Sequence, residues 1–287
     1  VAAAANYAEP VPIGGVMRAH AVGRVVESRS AAYAPGDLVL GMLGWTEMAT
    51  VSAAAIASRL PDDALPSSLA LGVLGLTGAT AWFGITEIAR PRVGDTVVVS
   101  TAAGAVGSVA GQLAHLAGCR TVGIAGSAEK VRLCLDEFGY DAAVDYRSPT
   151  FGADLAAACP AGVDVYYDNT GGAISDAVLR LINRRARIVV CGTASVPSWD
   201  PWPSGPMLTR HLLTKSARME GFLYFDFEHR LDEALAHLTP LVRDGRLRHR
   251  EDVLEGVDAA PDAIAGLYRG ENLGKRVIRL RQNEDGA

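Results

Sequence analysis

The sequence is poor in cysteine and has no excess of positive charge. Its 287 residues include four cysteines, at positions 119, 134, 159 and 191, and no two of them have a Cys-x-x-Cys spacing. That distribution excludes a disulfide-stapled fold and is typical of a protein kept in the reducing cytoplasm. Lys and Arg number 27 against 32 Asp and Glu, which gives a formal net charge of −5. The composition therefore gives no electrostatic reason to expect nucleic acid as a partner.

The signatures of several enzyme classes are also missing. The sequence has no Gly-x-Ser-x-Gly nucleophile elbow and no P-loop lysine, which argues against a hydrolase and a kinase. Its six histidines are scattered without i,i+4 pairing, and no cysteine cluster accompanies them. Zinc sites need such groupings, so we expect no metal site.

One uncharged stretch, residues 64–86, is formally long enough to span a bilayer. It contains four glycines and one proline and has no basic flank on either side. We interpret it as a buried helix of a soluble protein, and we expect no membrane partner. Repeats and low-complexity tracts are absent, so a folded globular chain is the expectation.

The centre of the chain alternates short apolar strands with helix-length segments. Strands are predicted at 96–100, 121–125, 142–146, 163–167 and 188–191, and helices at 108–117 and 129–138. β-branched runs of this length are typical of strands buried on both faces of a parallel sheet. The pattern predicts an α/β fold with a doubly wound, Rossmann-type parallel sheet.

The first part of the chain has a different pattern. Strand-like runs at 21–27, 35–41 and 45–51 are divided by turn residues, which predicts an antiparallel β-barrel. The alternating segment 276–280 is a candidate to return to that barrel. We therefore expect a discontinuous β domain at 1–72 and 246–287, flanking a βαβ domain at 73–245.

A glycine-containing turn follows the first strand of the βαβ region. The sequence there is Ala102-x-Gly104-x-x-Gly107, and a helix begins directly after it. Small residues at this spacing let a backbone approach a pyrophosphate, and the helix N-terminus supplies N–H groups for the phosphates. The turn predicts a dinucleotide site, although a glycine-rich turn that only packs is the alternative.

The end of the second strand indicates which dinucleotide is bound. An NAD site needs an acidic residue there for the ribose 2′-hydroxyl, whereas this sequence has Gly126 and Ser127, followed by Lys130. Arg147 provides a second cation after the third strand. Cations favour a 2′-phosphate, so NADP(H) is the expected cofactor. The alternative for Lys130 is an ordinary solvated helix lysine.

Several strings of the sequence resemble the medium-chain dehydrogenase/reductase superfamily. They are Val39-Leu40-Gly41-Met42-Leu43-Gly44-Trp45, Gly75-Leu76-Thr77-Gly78-Ala79-Thr80-Ala81, Gly123-Ile124-Ala125-Gly126, Tyr167-Asp168-Asn169-Thr170-Gly171-Gly172 and Asn272-Leu273-Gly274-Lys275. Within the superfamily, the match is to the zinc-independent branch of leukotriene B4 dehydrogenases, prostaglandin reductases and curcumin-reductase-like enzymes. The resemblance implies a GroES-like barrel beside a Rossmann domain that binds NADPH.

The resemblance also implies a set of site residues. The cofactor would be bound by Thr77, Gly104, Ala105, Val106, Gly107, Gly126, Lys130, Tyr146, Asn169, Cys191, Gly192, Phe222, Tyr224, Asn272 and Gly274. By themselves, Asn169 is equally consistent with a turn cap, Cys191 with a small buried apolar residue and Tyr146 with a strand-end aromatic. For the substrate we expect Trp45, Trp199 and Trp202. The alternative for the two tryptophans at 199 and 202 is a surface or dimer-contact loop.

Two departures from the family pattern affect the expectations. Relatives normally carry some tens of residues before the stretch that begins at Val1, so we expect the natural protein to be longer and to form part of its substrate pocket there. Relatives with enone activity usually have a tyrosine after the fifth strand, where this sequence has Pro197. That tyrosine is thought to polarise the substrate carbonyl, so no catalytic side chain is assigned.

The expected activity is NADPH-dependent reduction of the C=C bond of α,β-unsaturated aldehydes and ketones. Without a metal, conjugate reduction is favoured, because one or two hydrogen-bond donors can stabilise the enolate oxygen. An NADPH:quinone oxidoreductase and a cofactor-binding protein without activity are the alternatives. An apolar last strand at 219–225 predicts a homodimer formed through the Rossmann domain.

Overall fold

The computed structural model describes residues 10–61, 65–196, 201 and 203–280. The chain divides into two compact units. The first consists of Val1–Leu71, Val253–Leu267 and Arg276–Ala287, and the second of Gly72–Asp252 and Tyr268–Lys275. The boundaries proposed from the sequence place residue 72 and the segments 246–252 and 268–275 in the first domain instead.

The first unit contains a three-stranded antiparallel sheet. It is built from β1 (His20–Arg24), β2 (Leu38–Met42) and β3 (Ile56–Arg59), in the order β1-β2-β3. The strand β2 begins later than predicted, because Gly36 turns the chain at φ +92°. The strand predicted at 45–51 was wrong. The Thr46 hydroxyl donates to the Met48 carbonyl at 2.7 Å and closes a turn, and the next strand forms at β3.

The second unit contains a six-stranded parallel sheet, as the alternating pattern predicted. Its strands are β4 (Thr96–Ser100), β5 (Arg120–Ala125), β6 (Ala142–Asp145), β7 (Val163–Asp168), β8 (Ile182–Val190) and β9 (Arg218–Gly221). Their order is β6-β5-β4-β7-β8-β9. The order reverses beside β4, and ligands of doubly wound sheets bind at such a switch point.

Seven α-helices belong to this unit among the described residues. They are α1 (Leu76–Phe83), α2 (Gly107–Leu116), α3 (Ala128–Asp136), α4 (Phe151–Ala158), α5 (Gly172–Leu179), α6 (Thr209–Lys215) and α7 (Leu231–Arg243). The first, α1, precedes the first strand of the sheet, α2 to α6 connect its strands, and α7 follows the last strand. The helix α1 continues as a π-helical segment, Gly84–Ala89, and ends at Arg90, which has a left-handed backbone. The uncharged stretch 64–86 is therefore helical over most of its second half and buried there, as expected.

The core of the second unit lies around β4 and β7. All five residues of β4 are buried, and so is the pair Tyr166 and Tyr167 on β7. The Tyr167 hydroxyl donates to the carbonyl of Thr80 in α1 at 3.0 Å. A Cβ at Gly84 would overlap the Tyr167 ring, so only glycine leaves room for this tyrosine.

The remaining elements are β10 (Glu251–Glu255), α8 (Ala260–Arg269) and β11 (Lys275–Arg279). The strands β10 and β11 pair with each other, so the segment at 276–280 does not extend the N-terminal sheet. The strand predicted at 219–225 is shorter than expected. It ends at Gly221, because the Asp226 carboxylate accepts the Leu223 N–H at 2.9 Å and holds a 3₁₀ turn. Over the described residues, no helix combines the length and apolar character needed to span a bilayer.

Candidate functional site

The glycine turn joins β4 to α2. The Gly104 N–H donates to the Thr101 carbonyl at 2.9 Å, and α2 begins at Gly107. A Cβ at Gly104 would lie 2.9 Å from Thr101 Cγ2, and a Cβ at Gly107 would overlap the Thr101 carbonyl oxygen. Both glycines are therefore required by close packing inside the turn. Ala105 and Val106 complete the turn, half-buried, and Val106 is the residue just before α2.

Thr101 has a left-handed backbone at φ +52°. That conformation is strained for a β-branched residue, and strained residues cluster at ligand sites. The sequence pattern gave no indication of it, because threonine is not a residue that marks a left-handed turn.

The C-terminal segment reaches the same turn. Gly274 forms a parallel bridge with Gly104, and its N–H donates to the Ala103 carbonyl at 2.9 Å. The Asn272 amide donates to the Gly274 carbonyl at 2.9 Å, which fixes the segment locally. The structure thus brings Gly104 and Gly274 together and places Asn272 on the same segment, and their contact with a cofactor stays a prediction.

Two cations converge at the far end of β5 and β6. The Lys130 ammonium donates to the Gly270 carbonyl at 2.7 Å, and Arg147 donates to the Arg269 carbonyl at 3.3 Å. A Cβ placed on Gly270 would be 3.8 Å from the Arg147 guanidinium and 3.9 Å from the Lys130 ammonium. Both positive charges therefore lie beside one point of the chain, which suits an anion such as a phosphate.

Tyr146 and Gly126 lie in the same region. A Cβ at Gly126 would be 2.7 Å from Tyr146 Cε1, so the glycine makes room for the ring. The Arg147 guanidinium lies 5.7 Å from the centroid of the Tyr146 ring, within cation–π range. Ser127 caps α3 by accepting the Lys130 N–H at 3.2 Å. Ser127, Tyr146, Lys130 and Arg147 together form a polar cluster beside the end of β5.

Asn169 follows β7 and is tied to the end of β4. Its backbone N–H donates to the Ser100 hydroxyl at 2.8 Å, and its side-chain Nδ2 donates to the Ser100 carbonyl at 2.7 Å. Cys191 and Gly192 lie beside it, since both backbone N–H groups donate to the Asp168 carbonyl. The strand ends of β4, β7 and β8 therefore meet at Asn169.

Burial raises the pKa of the Cys191 thiol to about 11, and its hydrogen bond with Tyr167 opposes that shift. The thiol is therefore neutral at physiological pH and acts as a small apolar group. Cys191 is half-buried, and both interpretations from the sequence, a cofactor contact and a small buried apolar residue, stay predictions.

Thr77 lies in the first turn of α1 and is 9% exposed. Among the described residues, its hydroxyl oxygen is buried without a hydrogen-bond partner. A buried, unpaired hydroxyl costs about 1–3 kcal/mol, so it is expected to meet a ligand group. The dinucleotide carboxamide offers both a donor and an acceptor, and it fits this requirement.

Phe222 and Tyr224 belong to an aromatic segment after β9. Phe222 contacts Phe227 edge-on at 6.1 Å, and Phe227 stacks on Phe83 of α1 at 4.7 Å. Burial and the nearby Glu228 raise the pKa of Tyr224. The segment is thereby packed against α1, the helix that carries Thr77.

Of the three predicted substrate residues, only Trp45 lies among the residues that the structure describes. In the first unit, Trp45 lines an open cavity of about 600 Å³ together with Thr46, Glu47, Met48, Val257 and Asp258. Pro197, Trp199 and Trp202 lie outside the described residues. Over the part of the chain that is described, no group of three or more His, Cys, Asp or Glu side chains could hold a metal ion.

Two family models match the sequence. One, described as a zinc-binding dehydrogenase, covers residues 105–239, and one described as the N-terminal domain of oxidoreductase covers residues 1–58. The first description names a family with zinc members, and the expectation of no zinc in this chain stays a prediction.

Characterised proteins are similar over almost the whole chain. The NADPH-dependent curcumin reductase of Escherichia coli (strain K12) is 41% identical over 96% of this chain and 81% of its own length. The NADP(+)-dependent 2-alkenal reductase of Nicotiana tabacum is 39% identical over 96% and 80%. The crystal structure of CurA from Vibrio vulnificus in complex with NADPH is 39% identical, with a TM-score of 0.87 over 98% of this chain and 84% of that one.

Proposed function

Since the chain belongs to the medium-chain dehydrogenase/reductase superfamily, in the branch of prostaglandin, curcumin and alkenal reductases, we propose that it reduces C=C bonds of α,β-unsaturated aldehydes and ketones with NADPH. The observation that carries the proposal is the pair of cations, Lys130 and Arg147, that reach the backbone of residues 269 and 270 beside the segment bridged to the glycine turn. The Thr77 hydroxyl, which is buried without a partner among the described residues, is a second polar group open to a ligand. These groups fit the two ends of one phosphorylated dinucleotide.

The residues of the site divide into three roles. Gly104 and Gly107 let the turn approach a pyrophosphate, while the N-terminus of α2 supplies N–H donors. Lys130, Tyr146 and Arg147 bind the 2′-phosphate of the adenosine ribose. The other residues named from the family, which are Thr77, Asn169, Cys191, Gly192, Phe222, Tyr224, Asn272 and Gly274, hold the nicotinamide half and the phosphates.

NADPH, when bound, supplies the hydride for the β-carbon of the substrate. The protein then has to stabilise negative charge on the substrate oxygen and let water protonate the α-carbon. A preorganised donor at that oxygen is worth roughly 3–4 kcal/mol. No donor side chain is assigned here, because Pro197 occupies the position of the family tyrosine.

The test measures the decrease of NADPH absorbance after the protein is mixed with one of four additions. These are an α,β-unsaturated ketone, the matching saturated ketone, a quinone, and buffer alone, and NADPH binding is measured separately by fluorescence. The proposal expects turnover with the unsaturated ketone and none with the saturated one. Turnover with the quinone alone would favour the quinone oxidoreductase alternative. NADPH binding without any turnover would favour the inactive binding protein.

We also propose that two copies pair through the Rossmann unit. The strand β9 ends the described strand order, so its outer edge is unpaired within the described residues. Leu213 on α6, before β9 in the sequence, and Phe225, just after β9, are 81% and 55% exposed. Edge pairing with a second copy would cover such a surface. Sedimentation at micromolar concentration tests it, and a monomer there would reject the pairing.

The cysteine pattern supports a cytoplasmic location. All four thiols are free, and Cys119, Cys134 and Cys159 are buried. We propose that the protein works in a reducing compartment. Fractionation of cells that express the full gene, with immunodetection of each fraction, tests this location.

A further inference from the structure

Ser100 and Asn169 make two hydrogen bonds with each other. Ser100 is the last residue of β4 and is completely buried. Its hydroxyl accepts the Asn169 backbone N–H at 2.8 Å, and its carbonyl accepts the Asn169 side-chain Nδ2 at 2.7 Å. The side-chain amide of Asn169 is thereby held against one residue of the neighbouring strand.

The second of these bonds determines the orientation of the amide. A backbone carbonyl can only accept, so the amide atom that faces Ser100 is the nitrogen. The acceptor Oδ1 is then the atom left for a ligand. We infer that Ser100 is a positioning residue, which fixes Asn169 so that Oδ1 accepts a hydrogen bond from a donor group of the dinucleotide, a ribose hydroxyl or the carboxamide NH₂. The identity of this ligand rests on the proposed function.

Asp168 determines the direction of the Ser100 hydroxyl. Its side chain is buried, 4% exposed, and its Oδ1 accepts the backbone N–H groups of Thr170 and Gly171, each at 2.9 Å. The same oxygen lies 3.4 Å from the Ser100 hydroxyl. A carboxylate only accepts, so Ser100 points its proton at Asp168 and turns a lone pair toward the Asn169 N–H.

Three further hydroxyl groups hold the Asp168 carboxylate, and one of them, that of Thr170, donates to Oδ1 at 3.2 Å. Tyr166 donates to Oδ1 at 2.9 Å, and Ser175 of α5 donates to Oδ2 at 2.5 Å. A buried carboxylate satisfied by this many donors has one low-energy orientation, and networks of this kind rigidify their surroundings. Asp168 Oδ1, the oxygen that faces Ser100, keeps its bonds to Thr170, Gly171 and Tyr166 when Ser175 is replaced, so the contact that reaches Asn169 runs from Oδ1 through Ser100.

This orientation limits what Asn169 can do. With its amide hydrogens directed at Ser100, Asn169 is an acceptor toward the ligand. It cannot then be the donor that stabilises negative charge on the substrate oxygen, and its loss should weaken cofactor binding rather than the chemical step. Removal of the Ser100 hydroxyl should have a smaller effect of the same kind.

The experiment compares Ser100→Ala with Ser175→Ala in the full chain. Each variant removes one hydroxyl that reaches Asp168, but only the Ser100 hydroxyl also accepts the Asn169 backbone N–H. The Ser100 carbonyl that accepts Asn169 Nδ2 belongs to the backbone and stays in the alanine variant, so Ser100→Ala measures what the hydroxyl adds to the placement of Asn169. Equilibrium binding is measured with NADPH itself, by its fluorescence, and thermal unfolding is recorded for each variant. We expect the Kd for NADPH to rise about tenfold in Ser100→Ala, the size of one hydrogen bond of about 1.4 kcal/mol, and to stay within about twofold in Ser175→Ala.

A double-mutant cycle with Asn169→Ala separates positioning from general destabilisation. If Ser100 acts through Asn169, Ser100→Ala adds less than about twofold to the Kd when Asn169 is already alanine. Full additivity, or equal Kd values for Ser100→Ala and wild type, would overturn the inference. So would Asn169→Ala lowering kcat while leaving the Kd for NADPH unchanged.

The same measurements keep the inference distinct from the proposed activity. A wild-type protein that binds NADPH but reduces no enone would refute the activity, and the Kd values would still decide the role of Ser100. A wild-type protein without measurable NADPH binding would overturn the inference as well.

Discussion

The Lys130 ammonium donates to the carbonyl oxygen of Gly270 at 2.7 Å. This contact draws a lysine of α3 onto the segment that carries Asn272 and Gly274, next to Arg147. A 2′-phosphate bound here would meet two cations and a backbone segment that is already held in place. Loss of one of these cations should therefore raise the Kd for a dinucleotide that carries a 2′-phosphate.

Lys130→Ala is expected to raise the Kd for NADPH by about 10- to 100-fold, since a hydrogen bond to a charged group is worth roughly 1.5–3 kcal/mol. The Kd for NADH should change little, because NADH lacks the phosphate. Arg147→Ala should act in the same direction. Both dissociation constants are measured by fluorescence titration.

The control for this prediction is Lys215→Ala, which removes a lysine from the last turn of α6. It should leave both dissociation constants within about twofold of wild type. An equal loss of affinity for NADPH and NADH in Lys130→Ala would contradict the assigned role.

Thr77→Val is expected to weaken NADPH binding without lowering the stability of the protein. The Thr77 hydroxyl is buried without a partner within the described chain, so valine should leave the Tm unchanged or raise it. The Kd for NADPH should rise, because the ligand then loses a hydrogen bond. Scanning calorimetry and fluorescence titration provide the two readouts.

Thr80→Val is the matched control on the same helix. The Thr80 hydroxyl already donates to the Leu76 carbonyl at 2.7 Å, so its loss costs stability within about 1 kcal/mol and leaves NADPH affinity unchanged. If Thr77→Val lowers Tm and spares affinity, Thr77 is a structural residue.

Gly107→Ala is expected to destabilise the protein by about 1–3 kcal/mol through overpacking, since its Cβ would overlap the Thr101 carbonyl oxygen. NADPH affinity should fall with it, because the turn has to open. Gly152→Ala on α4 is the control. Apart from its chain neighbours and its own helix backbone, no atom of the described residues lies within 4 Å of its Cβ, so helix propensity should stabilise the protein by up to about 1 kcal/mol. Urea denaturation of both variants measures the free energy of unfolding, which should fall in Gly107→Ala and rise in Gly152→Ala.

Stability is expected to fall at alkaline pH. Burial raises the pKa of the Cys134 thiol from 9.0 to about 12, and that of Cys159 to about 11. A raised folded-state pKa means that the stabilisation is complete below pH 9.0, and that it is lost as the pH rises from there through the folded-state value. Each such thiol removes at most about 1.4 kcal/mol per pH unit over this range.

Urea midpoints between pH 8 and pH 11 check this dependence. Cys134→Ala should flatten part of the fall, because alanine carries no ionisable group. Identical slopes in wild type and variant would show that Cys134 does not contribute to the alkaline loss.

The sequence predicted the parallel sheet well, because its strands are short β-branched runs separated by helix-length segments. It failed at 45–51, where apolar residues alternate although a turn and not a strand forms. Side-chain-to-backbone hydrogen bonds, such as that from Thr46 to Met48, determine whether such a segment forms a turn or a strand. The periodicity of apolar residues contains no information about these bonds.

The candidate site followed from the sequence only where a residue type itself carries the chemistry. Glycines 104 and 107 and Lys130 are of this kind. The strain at Thr101 and the network around Asp168 are not, since they depend on which strand ends become neighbours. Ser100 and Asp168 are 68 residues apart in the sequence and meet only because β4 and β7 pair.

The most direct test of the central claim is the fate of a deuterium label. NADPH deuterated at the transferable position is incubated with the protein and an α,β-unsaturated ketone in ordinary water, and the product is examined by NMR and mass spectrometry. The proposed function predicts a saturated ketone with deuterium on the β-carbon and a solvent proton on the α-carbon. Deuterium on the carbonyl carbon of an allylic alcohol, or no transfer at all, would contradict it.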